Sequence, residues 1–175
     1  GDVTSNGFYD RVSNSPVGFG DIESEKAAME YIDKIKASGE SCGGVVETVV
    51  TGAPVGLGSY VHYDRKLDAR LAFSVMSVQA IKGVEIGMGF GTAMTCGSNV
   101  HDEIVYNDGF SRVTNNAGGI EGGMSNGEPI IVRGAMKPIP TRYNPLKTAS
   151  IIDKMEHKAS VERSDACAVP ACSVV

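Results

Sequence analysis

The sequence predicts a layered α+β fold in which helices lie against sheets. One observation is a set of runs that are β-branched or alternate between apolar and polar residues, which predict strands at residues 45–50, 84–90 and 129–136. A second is an amphipathic helix pattern over residues 21–39. The third is a helix predicted over residues 64–82, whose part from Leu71 to Ile81 is apolar on every side. Such a helix has to be covered on more than one face, so we expect the order sheet, helix, sheet, with either this chain or another half of the molecule supplying part of the cover.

The remaining segments are less regular. Residues 1–20 carry Gly, Asn, Ser and Pro without a period, which predicts a loop or a frayed edge strand. Asp21 is the expected N-cap of the first long helix, and Gly39 its end. Residues 57–62 fit either a short strand or a turn. Residues 91–127 form a long stretch with at most one short strand, at 104–106, and a loop of that length in a compact domain is usually functional.

Length and charge exclude several classes of protein. A chain of 175 residues suits a single domain. Its net charge of −5 argues against general nucleic-acid binding, which needs clustered Lys and Arg. We find no apolar run of membrane-spanning length and no signal peptide, so we expect no membrane partner and a cytoplasmic location. The four cysteines show no C-x-x-C pair and no His at metal spacing, so we expect reduced thiols and no metal.

The segment with the strongest functional pattern is Asn115–Thr141, NNAGGIEGGMSNGEPIIVRGAMKPIPT. The chain has 22 glycines among its 175 residues, about twice the average glycine usage of about 7%. Four of them lie at Gly118, Gly119, Gly122 and Gly123, where missing side chains let backbone N–H groups approach a ligand. An anion is the ligand that this arrangement suits best.

Two charged positions beyond the glycines could bind that ligand. Lys137 ends a predicted strand, and Thr141 adds a hydroxyl four residues later, a pair suited to a phosphate or a flavin carbonyl. Arg163 and Asp165 together could supply an anion clamp and a general base. A solvated lysine and a surface ion pair are the alternatives.

Other catalytic motifs are missing. His62, His101 and His157 have no partner spacing that indicates a metal or a nucleophile pair, and His101 fits a solvated loop histidine. Ser125 fits no G-x-S-x-G elbow, and the glycines match neither a P-loop nor a G-x-G-x-x-G fingerprint.

Several long motifs resemble one enzyme family. NNAGGIEGGMSNGEPIIVR followed by MKPIPT, with SVQAIKGVEIGMGF before it and KASVERSDACAVPA after it, resembles chorismate synthase. The segment GGVVETVVTGAPVGLGSYVHYDRKLDARLA has the same resemblance, which covers roughly residues 22–175.

The resemblance implies a lyase of aromatic amino-acid biosynthesis. Its substrate would be 5-enolpyruvylshikimate 3-phosphate, and elimination of phosphate on the shikimate pathway would give chorismate. The cofactor implied is reduced FMN, although the reaction has no net redox change, and NADP is an associated nucleotide. The fold implied is a β-α-β sandwich with helices between antiparallel sheets, assembled as a homotetramer.

Site residues follow from the same resemblance. The family's flavin contacts match Gln79, Ala80, Gly122, the segment Lys137–Thr141 (Lys137, Pro138, Ile139, Pro140 and Thr141) and Arg163. Asp165 matches the family's catalytic carboxylate.

Parts of the family pattern are absent from this sequence. The Gly-Glu-Ser-His and Arg-Ser-Ser-Ala-Arg-Glu-Thr segments do not occur, nor do the active-site histidines and substrate-binding arginines of the family's N-terminal half. The chain also ends within an apolar run, residues 169–175. We therefore expect residues 1–175 to be one domain, a fragment of a larger chorismate synthase-like domain and a partial fold. Alone, it is expected to be inactive and to bind FMN weakly or not at all. Without ligand, residues 91–127 are expected to be mobile. The alternative is a flavin- or anion-binding module, or a structural self-associating one, without catalysis.

Overall fold

The computed structural model describes residues 7–162 and 165–174. The chain divides into two compact units, Gly1–Gly44 with Met136–Val175 and Val45–Ala135. The helices are α1 (Phe8–Asn14), α2 (Ile22–Ala37), α3 (Leu67–Ser77) and α4 (Gly97–Val100). The strands are β1 (Gly44–Val50), β2 (Ile81–Ile86), β3 (Ile104–Tyr106), β4 (Phe110–Arg112), β5 (Ile120–Glu121), β6 (Met124–Ser125), β7 (Ile130–Met136), β8 (Lys147–Ala149) and β9 (Glu156–Lys158). None of the helices described is both long enough and apolar enough to cross a membrane. The predicted α+β class is confirmed.

The first unit contains the predicted amphipathic helix. The Asp21 side chain accepts a hydrogen bond from the Ser24 N–H at 2.8 Å, which caps α2 at its first turn. Gly39 adopts a φ of 71° just beyond the helix, the left-handed conformation that commonly ends helices. The same unit holds the antiparallel hairpin of β8 and β9.

The prediction of a loop or edge strand at residues 1–20 is wrong for residues 8–14, which form α1. This short helix is held by contacts with Gly20. The Arg11 Nε donates to the Gly20 carbonyl oxygen at 3.0 Å, and a Cβ on Gly20 would lie 2.2 Å from the Phe8 ring. A contact of this kind between separated residues cannot be predicted from the pattern of turn-forming residues such as Gly, Asn, Ser and Pro.

The second unit is built on a three-stranded sheet of order β1-β7-β2. Along the central strand, residues 130, 132, 134 and 136 are buried, whereas the residues between them are half-buried or exposed. The buried face joins Ile120, Ile130 and Val132 into a core against which α3 packs. On the alternate positions, Arg133 binds Glu47 of β1 at 2.7 Å and lies 3.6 Å from Glu85 of β2.

The predicted end of the apolar helix is wrong. We expected residues 64–82 to be helical, but α3 ends at Ser77, and Ile81 and Lys82 begin β2. The predicted strand at 84–90 is shifted accordingly. Val78 is extended and Ala80 has a φ of 70°, so the chain turns between the helix and the strand. The reason is tertiary: Ile81 is only 4% exposed, because the turn places it in the sheet.

The cover expected on several faces of α3 is also not found among the residues that the structure describes. Leu67, Leu71 and Val75 pack on the core, but Phe73 is 78% exposed. No residue of α3 is fully buried. The described part of the chain therefore covers one face of this helix.

Residues 91–127 contain more structure than the single strand predicted there. The strand at 104–106 is confirmed as β3, and it pairs with β4 in a hairpin. A second hairpin joins β5 and β6. The sequence did not reveal these pairings because each strand has only two or three residues, too few to show a period.

Candidate functional site

The Lys137–Thr141 segment leaves the end of β7 and lies on residues 41–43 within the first unit. The Ser41 hydroxyl donates to the Ile139 carbonyl oxygen at 2.6 Å. A Cβ on Gly43 would lie 2.2 Å from the Met136 carbonyl oxygen, so only glycine permits this approach. Two prolines stiffen the segment further. Its backbone is thus fixed, while the Lys137 side chain is exposed.

Asp165 lies in the same unit and is exposed. It is followed directly by Ala166, whose carbonyl oxygen accepts a hydrogen bond from the Cys42 N–H at 2.9 Å. Residues 41–43 therefore contact both predicted segments, Lys137–Thr141 on one side and the residues after Asp165 on the other. Arg163, the remaining predicted cofactor residue of this part of the chain, lies outside the described residues.

Gln79 and Ala80 occupy the turn between α3 and β2 in the second unit. The Ile81 N–H donates to the Val78 carbonyl oxygen at 3.2 Å, which closes a tight turn around them. Ala80 has a φ of 70°, a conformation that L-residues other than glycine rarely adopt and that is enriched at functional sites. Gln79 is exposed, so its amide is available to a ligand.

The four loop glycines do not play the same role. All four have a positive φ. A Cβ on Gly118, Gly119 or Gly123 would lie 2.4 to 2.7 Å from backbone atoms of other segments, so these three are required by packing. At Gly122, which is exposed and has a φ of 58°, a Cβ would meet nothing within 4 Å. Gly122 is therefore the one of the four whose backbone faces open space that a ligand can enter.

A buried carboxylate that our sequence reasoning missed fixes the start of this glycine segment. Asp102 is 9% exposed and accepts hydrogen bonds from the Thr114 hydroxyl at 2.5 Å, the Asn116 N–H at 2.8 Å and the Ala117 N–H at 2.9 Å. Burial favours a higher pKa, but the hydrogen bonds from Thr114, Ala117 and Asn116, with the Arg112 charge, lower the Asp102 pKa below its ordinary value. The carboxylate is ionised and acts as a fixed anchor. An Asp within a glycine- and asparagine-rich stretch was the only available signal.

Beside this anchor is a cleft of about 290 Å³. Its lining includes His101, Asp102, Asn116, Ala117, Glu121 and Gly122. The Glu121 carboxylate in this lining is held by Arg112, which donates from Nη2 at 2.6 Å and from Nε at 3.1 Å, and by Asn126 at 2.8 Å. Gly122 therefore follows a residue whose side chain is fixed by three hydrogen bonds.

The remaining polar candidates are bonded to other groups of the protein or are exposed. Ser125 is 3% exposed, and its hydroxyl donates to the Pro54 carbonyl oxygen at 2.6 Å and accepts from the Leu57 N–H at 2.9 Å. His157 lies 3.2 Å from Asp153 on the exposed hairpin, and His62 and His101 are exposed. Over residues 7–162 and 165–174, no group of three or more His, Cys, Asp or Glu side chains could hold a metal ion.

Fold and site together define an α+β protein with two candidate ligand-binding parts, a glycine-rich part in one unit and a lysine-proline segment in the other. A profile of the family described as chorismate synthase matches residues 2–175. The chain belongs to the chorismate synthase family.

Individual relatives agree with this assignment. The chorismate synthase of Bacillus cytotoxicus is 60% identical to this chain, over 92% of the chain and 42% of the relative. That of Geobacter metallireducens is 55% identical, over 99% of the chain and 46% of the relative. A crystal structure of chorismate synthase superposes with a TM-score of 0.77 at 43% identity, covering 95% of this chain and 43% of the other. The chain thus spans less than half the length of these relatives.

Proposed function

We propose that this chain supplies part of the flavin site of a chorismate synthase, a lyase that eliminates phosphate from 5-enolpyruvylshikimate 3-phosphate to form chorismate. The observation that carries the proposal is the fixed backbone of Lys137–Thr141, which presents an exposed Lys137 beside two rigid prolines. Membership of the family supports the assignment of the reaction.

The described residues fit reduced FMN. Lys137 is a mobile cation on a fixed backbone, suited to a phosphate or to a flavin carbonyl. Gly122 leaves open space beside its backbone, which a flat ring can enter. Gln79 offers an exposed amide, and Ala80 holds a strained turn of the kind found at ligand sites. We assign Gln79, Ala80, Gly122, Arg163 and the residues Lys137–Thr141 to the cofactor.

When bound, reduced FMN would supply electron density to an elimination that has no net redox change. The chain's own contribution is charge and position. Phosphate leaves as an anion, so cationic groups near the reacting centre stabilise the charge that develops as the bond to it breaks. Lys137 and Arg163 have the required charge, and Asp165 is an exposed carboxylate able to hold or accept a proton.

We further propose that the chain requires the rest of a full-length family member for activity. It spans 42% of the Bacillus cytotoxicus relative, and one face of α3 carries exposed apolar side chains such as Phe73. A homotetramer in the cytoplasm, with NADP as an associated nucleotide, would fit the family. The alternative is a flavin-binding or self-associating module without catalysis.

The test is a phosphate-release assay with 5-enolpyruvylshikimate 3-phosphate and reduced FMN under anaerobic conditions. A full-length enzyme that carries these 175 residues is expected to release phosphate, and the chain alone is expected to release none above background. Turnover by the chain alone would contradict its dependence on further sequence. If the full-length enzyme binds FMN but releases no phosphate, the result would support the alternative, a flavin-binding module without catalysis.

A further inference from the structure

Cys42 and Cys167 lie side by side in the first unit. They are partners in an isolated parallel β-bridge, with the Cys42 N–H bound to the Ala166 carbonyl oxygen at 2.9 Å. Neighbouring strands are about 4.7–4.9 Å apart, and disulfides span Cα separations of about 4.4–6.8 Å. The two backbones are thus already at the spacing of a disulfide.

The two side chains leave the same face of the bridge, because residues paired across neighbouring strands point to the same side. Burial and the neighbouring Cys167 side chain together raise the pKa of the Cys42 thiol to about 11. Both cysteines are free thiols.

We propose that Cys42 and Cys167 form a reversible dithiol site that a small-molecule disulfide, such as glutathione disulfide, oxidises to an intramolecular disulfide. Neither the family resemblance nor the proposed reaction uses these thiols. Disulfides that form in reducing compartments are usually transient and redox-sensing. This suits two cysteines whose backbones are already paired but whose thiols are free.

Cys167 is the entry point, because it is half-buried whereas Cys42 is only 7% exposed. The Cys167 thiolate attacks one sulfur of glutathione disulfide, that S–S bond breaks, and one glutathione leaves as a thiolate that takes a proton from water. Cys42 then loses its proton to water and attacks the Cys167 sulfur, releasing the second glutathione. Two protein thiols are oxidised, and one glutathione disulfide is reduced to two glutathione molecules.

The position of the pair suggests what the bond would hold. Cys42 lies between Ser41 and Gly43, which contact the Met136–Ile139 backbone, and Cys167 lies two residues after Asp165. The disulfide would tie these two segments together covalently. Because the two backbones are already paired, oxidation is expected to keep this pairing. We also expect the oxidised protein to bind FMN at least as tightly as the reduced protein. This expectation rests on the proposed function.

The other two cysteines provide controls. Cys96 is exposed and belongs to the second unit. Cys172 is half-buried and lies five residues after Cys167, so it is the competing partner. Cys172→Ser should leave the disulfide intact, whereas Cys167→Ser should abolish it. Cys167→Ser is preferred to a change at Cys42, because Cys42 is buried and its replacement risks unfolding.

The experiment incubates the full-length protein with glutathione disulfide or with dithiothreitol, followed by digestion without reduction and peptide mass mapping. We expect a linked Cys42–Cys167 peptide in the oxidised sample and a Tm higher by roughly 5–15 °C, reversed by dithiothreitol. A Cys167–Cys172 bond, or glutathione adducts without a Cys42–Cys167 link, would overturn the proposal. FMN titration of both samples is read separately: failure of both to bind FMN contradicts the proposed function, while a mapped disulfide still stands.

Discussion

The Thr114 hydroxyl donates a hydrogen bond of 2.5 Å to the Asp102 carboxylate, and two backbone N–H groups, those of Asn116 and Ala117, bind the same side chain. Asp102 is 9% exposed, so these bonds are made largely out of water. They fix the residues immediately before Gly118 and Gly119. The glycine segment is thus held in place by one side chain from outside it.

Replacement of this anchor should destabilise the second unit. Asp102→Asn replaces one carboxylate oxygen by an NH₂ group, which cannot accept a hydrogen bond. At least one of the three donors, the Thr114 hydroxyl and the Asn116 and Ala117 N–H groups, therefore loses its acceptor. We expect a loss of about 2–4 kcal/mol in the free energy of unfolding, because hydrogen bonds to charged groups contribute about 1.5–3 kcal/mol and unpaired buried donors cost more. Urea unfolding measures it. Glu103→Gln is the matched control, since Glu103 is exposed and adjacent, and equal stability of the two variants would contradict the anchor role.

The same carboxylate predicts a pH dependence. Its pKa in the folded protein is lowered, so it binds fewer protons folded than unfolded, and its contribution to stability is complete above its unfolded pKa of about 3.9. That contribution is lost as the pH falls through the folded pKa. The gap between the urea midpoints of wild type and Asp102→Asn, measured from pH 6 down to pH 3, should therefore begin to narrow below about pH 4. A gap that is constant over this range would mean that the charge is not responsible.

Two glycines of one segment should respond oppositely to alanine. Gly119→Ala brings a Cβ to 2.6 Å from the Pro129 carbonyl oxygen, so we expect severe destabilisation or failure to fold. Gly122→Ala meets no neighbour and should cost only about 1–2 kcal/mol for its left-handed backbone. In the full-length enzyme, however, Gly122→Ala should weaken FMN binding, because the new methyl group occupies the open space. Thermal unfolding and FMN titration measure the two effects, and unchanged FMN affinity would remove Gly122 from the site.

The sequence could predict those parts of the fold that depend on local pattern. Asp21 and Gly39 bound α2 as their residue types indicate, and β1 and β7 follow their β-branched runs. The end of α3 could not be predicted, because the run from Leu71 to Ile81 is apolar throughout and only burial in the sheet separates Ile81 from the helix. Helix α1 depends on a distant contact with Gly20.

The candidate site shows the same division. Lys137 and the prolines after it can be picked out in the sequence because they directly follow a predicted strand, although a solvated lysine fits the same pattern. The glycine pattern by itself does not distinguish the four loop glycines, although three of them are required by backbone packing and only Gly122 faces open space. Asp102 was missed because its role depends on Thr114, Asn116 and Ala117, which are 12 to 15 residues away. Anchors of this kind are defined by three-dimensional proximity and have no local pattern.

The most direct test of the central claim is the affinity of the full-length enzyme for FMN when Lys137 is changed. Lys137→Ala should weaken FMN binding about 10-fold to 100-fold, since hydrogen bonds to charged groups contribute about 1.5–3 kcal/mol, and should leave the Tm unchanged because the side chain is exposed. Lys26→Ala is the matched control, an exposed lysine of the same unit whose Nζ lies 3.9 Å from Glu30. Weakened binding in Lys137→Ala alone is the predicted result. Equal FMN affinity in wild type, Lys137→Ala and Lys26→Ala would contradict the assignment of this segment to the flavin.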